Sequence, residues 1–517
     1  MILNINFASL KKALTPFLLF ILAVSLLTIQ SCRKKRSELA IELLKDSKNK
    51  VFRDATPEGF TAAFKQQFED EKAQIPNIEI IRSFYEQNDY DPVFVLDHLF
   101  NNDLTVAVGY FDNANEHGLN PEIFHADSLR AIITRFQKKN GIKTLKQAYH
   151  DMAEFEILSA GSLLNYSKIL QFGAVNPKAL FHRYFMATRA IDTPAMLHIF
   201  ALTNMKAYLD SIQPAYPQYI ALQKALADSA VAPGLSKAET KRILQVNLER
   251  LRWRNKPYQS KYVIVNIPDY TLDVIDSGHS VLNMRVCVGQ GRNLQNQNTV
   301  LKYDDTCKID RPYPRETPLL NSMIYCVEVN PVWNIPNSIA TKEIIVEAAK
   351  DRFYLSNKNI LVYKNDKLIE NPEEVDWSKI TKATASDYDF KQKPGDDNAL
   401  GKIKFLFKNK SSVYLHDTPA KSAFNLTVRA VSHGCVRLGK PEDLAMNLFG
   451  AGPKFKLISE DMGKDNPEPT TINLKPKVPV YITYVTSWAD TSNVVQYRKD
   501  VYGLDIVVYD QLKSYLN

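Results

Sequence analysis

One change of hydrophobic period divides this 517-residue chain and limits the folds open to it. From about Thr61 to Ala230 apolar residues recur at helical spacing, as in Phe155, Leu158, Leu163 and Leu164. From Tyr262 the pattern becomes β-rich. Tyr262 to Ile275 reads as strand with a bend at Pro268-Asp269, Asp276 to His279 as a turn, and Val281 to Val288 as the returning strand. A helical part followed by a strand-rich part predicts an α+β protein with the two classes segregated along the sequence. The composition, 45% hydrophobic and 24% charged, allows two or three domains with cores of their own.

The first residues read as a targeting segment. Lys11-Lys12 precede the apolar run Ala13 to Ile29, and Ser31 precedes Cys32, the layout of a secretory signal peptide. Cys32 is then a candidate lipid-bearing cysteine; the alternative is an uncleaved membrane anchor. Either places the remainder outside the cytoplasm, since no second apolar stretch is long enough to span a bilayer. The net charge of +8 reads as a solvated basic surface. No basic run is interleaved with aromatics, so nucleic acid is not an expected partner. Of five cysteines, Cys287, Cys307 and Cys326 carry no motif; a disulfide among them and buried free thiols both remain open. There is no C-x-x-C pair, and His98, His117, His125, His150, His182 and His198 share no ligand spacing, so no metal site is expected.

The chemistry concentrates in Val413 to Leu438, VYLHDTPAKSAFNLTVRAVSHGCVRL. A thiol becomes a nucleophile when a base can take its proton. Cys435 is the candidate nucleophile and His416, at the end of a short predicted strand, the candidate base. Ser432-His433-Gly434 predicts a tight turn presenting the cysteine. Pro441 with Leu444, Ala445, Leu448 and Phe449 predicts a helix soon after, whose N-terminus would lower the thiol pKa. His433 is the rival base.

The joined pattern HDTP, Arg429-Ala430 and SHGCVRL resembles the active-site signature of L,D-transpeptidases with a YkuD-type catalytic domain, and among them the large periplasmic YcbB-like branch. The resemblance covers residues 242–510 strongly. A looser match covers 60–241, through Tyr90-Asp91-Pro92-Val93-Phe94 and Gly118-Leu119-Asn120-Pro121. It implies that Cys435 is the nucleophile and His416 its base, with Ser432, His433, Gly434 and Arg437 completing the motif. A backbone carbonyl often orients the base in this family, and Arg437 would face a substrate carboxylate or lie in a structural ion pair. Trp333 and Tyr414 are candidate cleft residues; for Trp333 a packed core aromatic is the alternative.

The implied domains are a signal segment at 1–32, a charged tether at 33–60, a helical scaffold domain at 61–241 and a β-rich catalytic domain at 242–465. The last would hold a lid-like insertion at 351–395, with a Pro-rich connector, closing strand and tail at 466–517. The polar segment Gln290 to Glu316 departs from the family as an insertion, and no small peptidoglycan-binding module precedes the catalytic domain. The implied reaction is acyl transfer between peptidoglycan stem peptides in the periplasm, through a thioester and without metal or organic cofactor. Hydrolysis, attachment of other amines or of proteins, and a silent wall-binding scaffold are the alternatives.

Overall fold

The computed structural model describes residues 36–516, except 190, 192, 254–258, 292–309, 311–312 and 466. Cys32 and Cys307 lie outside the described residues. The chain forms two compact units. The first contains the residues up to Asp112, Pro121–Tyr166 and Thr193–Ser211; the second contains Asn113–Asn120, Ser167–Asp192 and Ile212 onward.

The first unit is helical. Its helix Pro57–Glu71 starts where Thr56 accepts the Gly59 N–H (3.1 Å) and Pro57 fills the first helical position. Phe60, Phe64 and Phe68 recur every fourth residue and are buried. Phe64 meets Tyr85 at 4.4 Å between ring centres, and Phe84 stacks on Phe200 at 3.7 Å. The tether expected at 33–60 is in its described part a packed segment instead. Helix Glu38–Ser47 buries Leu39, Ala40 and Leu43, and Phe52 follows them into the core. Its charges lie on the exposed face of an amphipathic helix, which makes the composition look like that of a linker.

The second unit is built on strands β1 (Tyr184–Phe185), β2 (Lys261–Asn266), β3 (Thr271–Asp276), β4 (His279–Gly289) and β5 (Leu319–Val329). They continue with β6 (Trp333–Ile335), β7 (Ile360–Lys364), β8 (Lys367–Leu368), β9 (Tyr388–Gln392), β10 (Ile403–Phe407) and β11 (Leu415–His416). The last are β12 (Ala430–Ser432), β13 (Val436–Leu438), β14 (Thr470–Thr483), β15 (Ser487–Ala489) and β16 (Val495–Tyr497). The main sheet runs β1-β5-β10-β11-β13-β4-β3-β2-β14. β14 pairs with β2 on one side and with β5 on the other, which closes the path from β5 to β14 into a ring. The stretch 466–479, expected as a connector, therefore largely belongs to a strand of this ring. Pro476 fits there because the β14–β5 register breaks between Asn473 and Val478.

Strand alternation sorts the side chains. Val263, Leu272, Val286, Val327, Phe405, Leu415, Val436 and Val480 enter one hydrophobic core. A second, separate core holds Ile335, Ile344, Ile345, Leu355, Val362, Trp377 and Phe390. It lies under the four-stranded sheet β6-β9-β7-β8 and the helical segment Asn337–Lys350. The insertion expected at 351–395 thus begins earlier, at Trp333, because β6 and that helix supply half of its core. The divide between units also departs from the expected boundary at 241: residues 113–120, 167–192 and 212–241 belong to the second unit.

Candidate active site

The site follows from strand register. Glu328, Lys404, His416, Arg437 and Cys287 pair in sequence across β5, β10, β11, β13 and β4. Directly paired residues point to one face. The apolar partners of each strand enter the core, so this polar row takes the opposite face.

Leu415 pairs with Val436 in the parallel β11–β13 ladder, which sets Tyr414 opposite Cys435 and His416 one diagonal step away on the same face. The Val436 N–H donates to the Tyr414 carbonyl (3.1 Å) and holds that alignment. Cys435 is a free thiol on a half-buried residue. Tyr414 meets its sulfur through both the backbone N–H and the hydroxyl, and the Tyr414 and His416 rings lie 5.6 Å apart, edge to face.

The His416 ring is oriented by backbone. Its Nδ1–H donates to the Asp417 carbonyl at 2.5 Å, which leaves Nε2 as the basic atom. The Asp417 carboxylate is engaged elsewhere, accepting the Lys402 N–H (3.0 Å) and pairing with Lys421. Gly401 is required beside it: its φ is +61°, and a Cβ would stand 2.4 Å from that carboxyl. Burial and the charge of Arg437 hold the His416 pKa down at about 4, against the Asp417 and Leu400 carbonyls. Burial pushes the Cys435 thiol up to about 11, although Tyr414 and Arg437 pull it down. The resting pair is therefore a neutral thiol beside a neutral imidazole. The expected helix N-terminus does not act here. Cys435 sits in the turn between β12 and β13, and the helix Pro441–Phe449 begins only after β13.

Ser432 shapes that turn. Its Oγ accepts the Gly434 N–H (3.1 Å) and donates to the Cys435 carbonyl (2.5 Å). Gly434 has φ +119°, a region that side chains disfavour, with no close neighbour to forbid a Cβ. The Gly434 N–H is thereby committed, which leaves the Cys435 N–H and the Tyr414 hydroxyl as donors facing the sulfur's surroundings. His433 turns away: its Nε2–H donates to Glu343 at 2.7 Å, so the rival base is occupied. Arg437 has no carboxylate partner among the described residues, and its Nε is buried without a hydrogen bond. The structural ion pair is not formed among the described residues. Trp333 takes the other course left open, packing on the core of the inserted subdomain. Cys287 and Cys326 are both buried and free.

Two supports escaped the sequence. Thr317 Oγ1 accepts the Gly289 N–H (2.8 Å) and donates to the Gly434 carbonyl (2.9 Å). Tyr502 donates to the Gly289 carbonyl (2.7 Å) and accepts the Thr317 N–H (3.2 Å). Only the Thr317-Pro318 pair was a visible signal; nothing local marks Tyr502.

A strand ring bearing a cysteine turn and a carbonyl-oriented histidine defines a class, and family comparison agrees. Residues 260–449 match the L,D-transpeptidase catalytic domain (YkuD) and residues 79–226 match a scaffold domain. The chain thus joins a helical scaffold domain to a YkuD-type L,D-transpeptidase catalytic domain. Among curated proteins it is similar to one from Haemophilus influenzae named "Putative L,D-transpeptidase", at 29% identity over 279 residues. That alignment spans 53% of this chain and 51% of the relative, about half the length of each.

Proposed function

We propose that this chain is a peptidoglycan L,D-transpeptidase that makes 3→3 cross-links through a thioester on Cys435. The observation that carries the reading is the shared face of β11 and β13, which brings together His416, Cys435 and an Arg437 that has no carboxylate partner among the described residues. Arg437 supplies a fixed positive charge for the carboxylate of a terminal D-Ala. Tyr414 and the Cys435 N–H are the donors suited to the oxyanion.

In the first half-reaction His416 Nε2 takes the thiol proton while sulfur attacks the carbonyl between the third stem residue and D-Ala. The tetrahedral intermediate collapses, the C–N bond breaks, and the imidazolium gives its proton to the departing D-Ala amine. In the second, a side-chain amine of a neighbouring stem attacks the thioester, His416 accepts its proton, and the thiol is regenerated. Attack starts from neutral partners, so the proton moves only once an acyl carbon is in place. That protects the thiol in an oxidising compartment. The periplasm, with attachment at Cys32 through lipid or through an uncleaved anchor, is the location consistent with Lys11 to Cys32.

Purified protein incubated with disaccharide-tetrapeptides and analysed by mass spectrometry tests this. Cross-linked dimers are expected. Tripeptides alone would make it a hydrolase, and unchanged substrate a scaffold. Cys435→Ala is expected to abolish both product and carbapenem adduct.

A further inference from the structure

The nucleophile turn is tied to the inserted subdomain by one carboxylate. Glu343 lies in the helical segment Asn337–Lys350, whose neighbours Ile344 and Ile345 belong to the separate core. Its Oε1 accepts from His433 Nε2 (2.7 Å) and from Arg315 Nη2 (2.7 Å). Arg315 Nη1 continues to Gln290 Oε1 (2.9 Å), just beyond the end of β4. Two residues after Arg315, Thr317 grips the Gly434 carbonyl. Three segments remote in sequence thus converge on the three residues before Cys435: the inserted helix on His433, the return of the polar segment on Gly434 and the end of β4 on Ser432, whose carbonyl accepts the Gln290 N–H (2.9 Å). Burial raises the Glu343 carboxyl, but His433 and Arg315 outweigh it and hold it below the ordinary glutamate range, so the carboxylate that accepts from both is charged at neutral pH.

We propose that Glu343 is a positioning residue for acyl transfer: through His433 it fixes the Cys435 turn and couples that turn to the position of the inserted subdomain. This inference rests on the acyl-transfer reading above. A latch of this kind contributes to the geometry of attack and leaves the intrinsic reactivity of the thiol alone. Misplacing a reacting atom by about 1 Å lowers a rate on the order of a hundredfold. Nothing in the latch touches His416 or Arg437, so donor binding is not its task.

The test uses the full chain, Glu343→Gln, His433→Asn and the double variant. Four quantities are measured: kcat and KM for tetrapeptide transfer, the alkylation rate of Cys435 by iodoacetamide, hydrogen exchange over 432–438, and Tm. For Glu343→Gln kcat is expected to fall roughly ten- to a hundredfold. KM and the alkylation rate should stay within about threefold, and exchange over 432–438 should rise at unchanged Tm. The double variant should be no slower than His433→Asn alone, since both break one connection. Wild-type kcat with unchanged exchange in Glu343→Gln overturns the proposal, as do multiplicative effects in the double variant. Should Glu343→Gln fold poorly, His433→Asn decides alone: unchanged exchange and kcat would sink the coupling. If the wild type transfers no donor, the acyl-transfer reading fails instead, and the exchange arm still reports whether Glu343 holds the turn.

Discussion

At the scale of the residue, the candidate pair carries no charge at neutral pH. His416 near pKa 4 and Cys435 near 11 remain neutral over the physiological range. Iodoacetamide alkylation of Cys435 in the free protein should therefore rise about tenfold per pH unit from 7 to 10, because thiolate is the reactive form; a plateau by pH 8 would contradict the neutral pair. His416 is depressed, so its contribution to stability is present above the ordinary histidine pKa and is lost as pH falls through about 4. Arg437 has no carboxylate partner among the described residues, and its Nε is buried without a hydrogen bond. Arg437→Met should lower kcat/KM for tetrapeptide roughly ten- to a hundredfold, mostly through KM, as the loss of one charge-assisted contact does. Steady-state kinetics on donors with and without the terminal carboxylate would separate this from a packing loss. These residues were legible because HDTP and SHGCVRL are contiguous strings. Tyr414 was visible only as a neighbour; that it stands opposite the sulfur is a matter of register.

At the scale of the element, polar side chains join loops that no sequence window contains together. Thr317 is buried and serves both Gly289 and Gly434. Thr317→Val keeps the shape and strands a buried N–H and a buried carbonyl, which costs about 2 kcal/mol. Chemical denaturation should show that loss, and activity should fall with it; an unchanged midpoint would mean that water replaces the hydroxyl. The sequence reading of strands was sound where alternation is strict, as in β2 and β3. It was misled at 466–479, where prolines suggested a connector and a register break admits Pro476 to β14, and at 33–60, where charge on one helical face masked a buried one.

At the scale of the whole molecule, the first unit carries a buried carboxyl group in its core. This group, Glu156, is fully buried and accepts from Tyr85 and from the N–H groups of Phe94 (3.1 Å) and Val95 (2.6 Å). Burial raises its pKa to about 8, although those donors lower it. A raised pKa stabilises the fold below the unfolded value near 4.5, and that contribution is lost as pH rises through about 8. Unfolding midpoints measured from pH 5 to 9 should decline in the wild type and flatten in Glu156→Gln; parallel curves would remove Glu156 as the cause. Amino-acid sequence alone determined the class of the two parts and the residues of the motif, because hydrophobic period and contiguous side chains are local properties. Only tertiary structure decided that β14 closes the ring, that Tyr502 and Thr317 brace the cysteine turn, and that Glu343 rather than Cys435 holds His433. Those outcomes depend on strand register and on which distant surfaces share a buried hydrogen bond, and no local pattern encodes either.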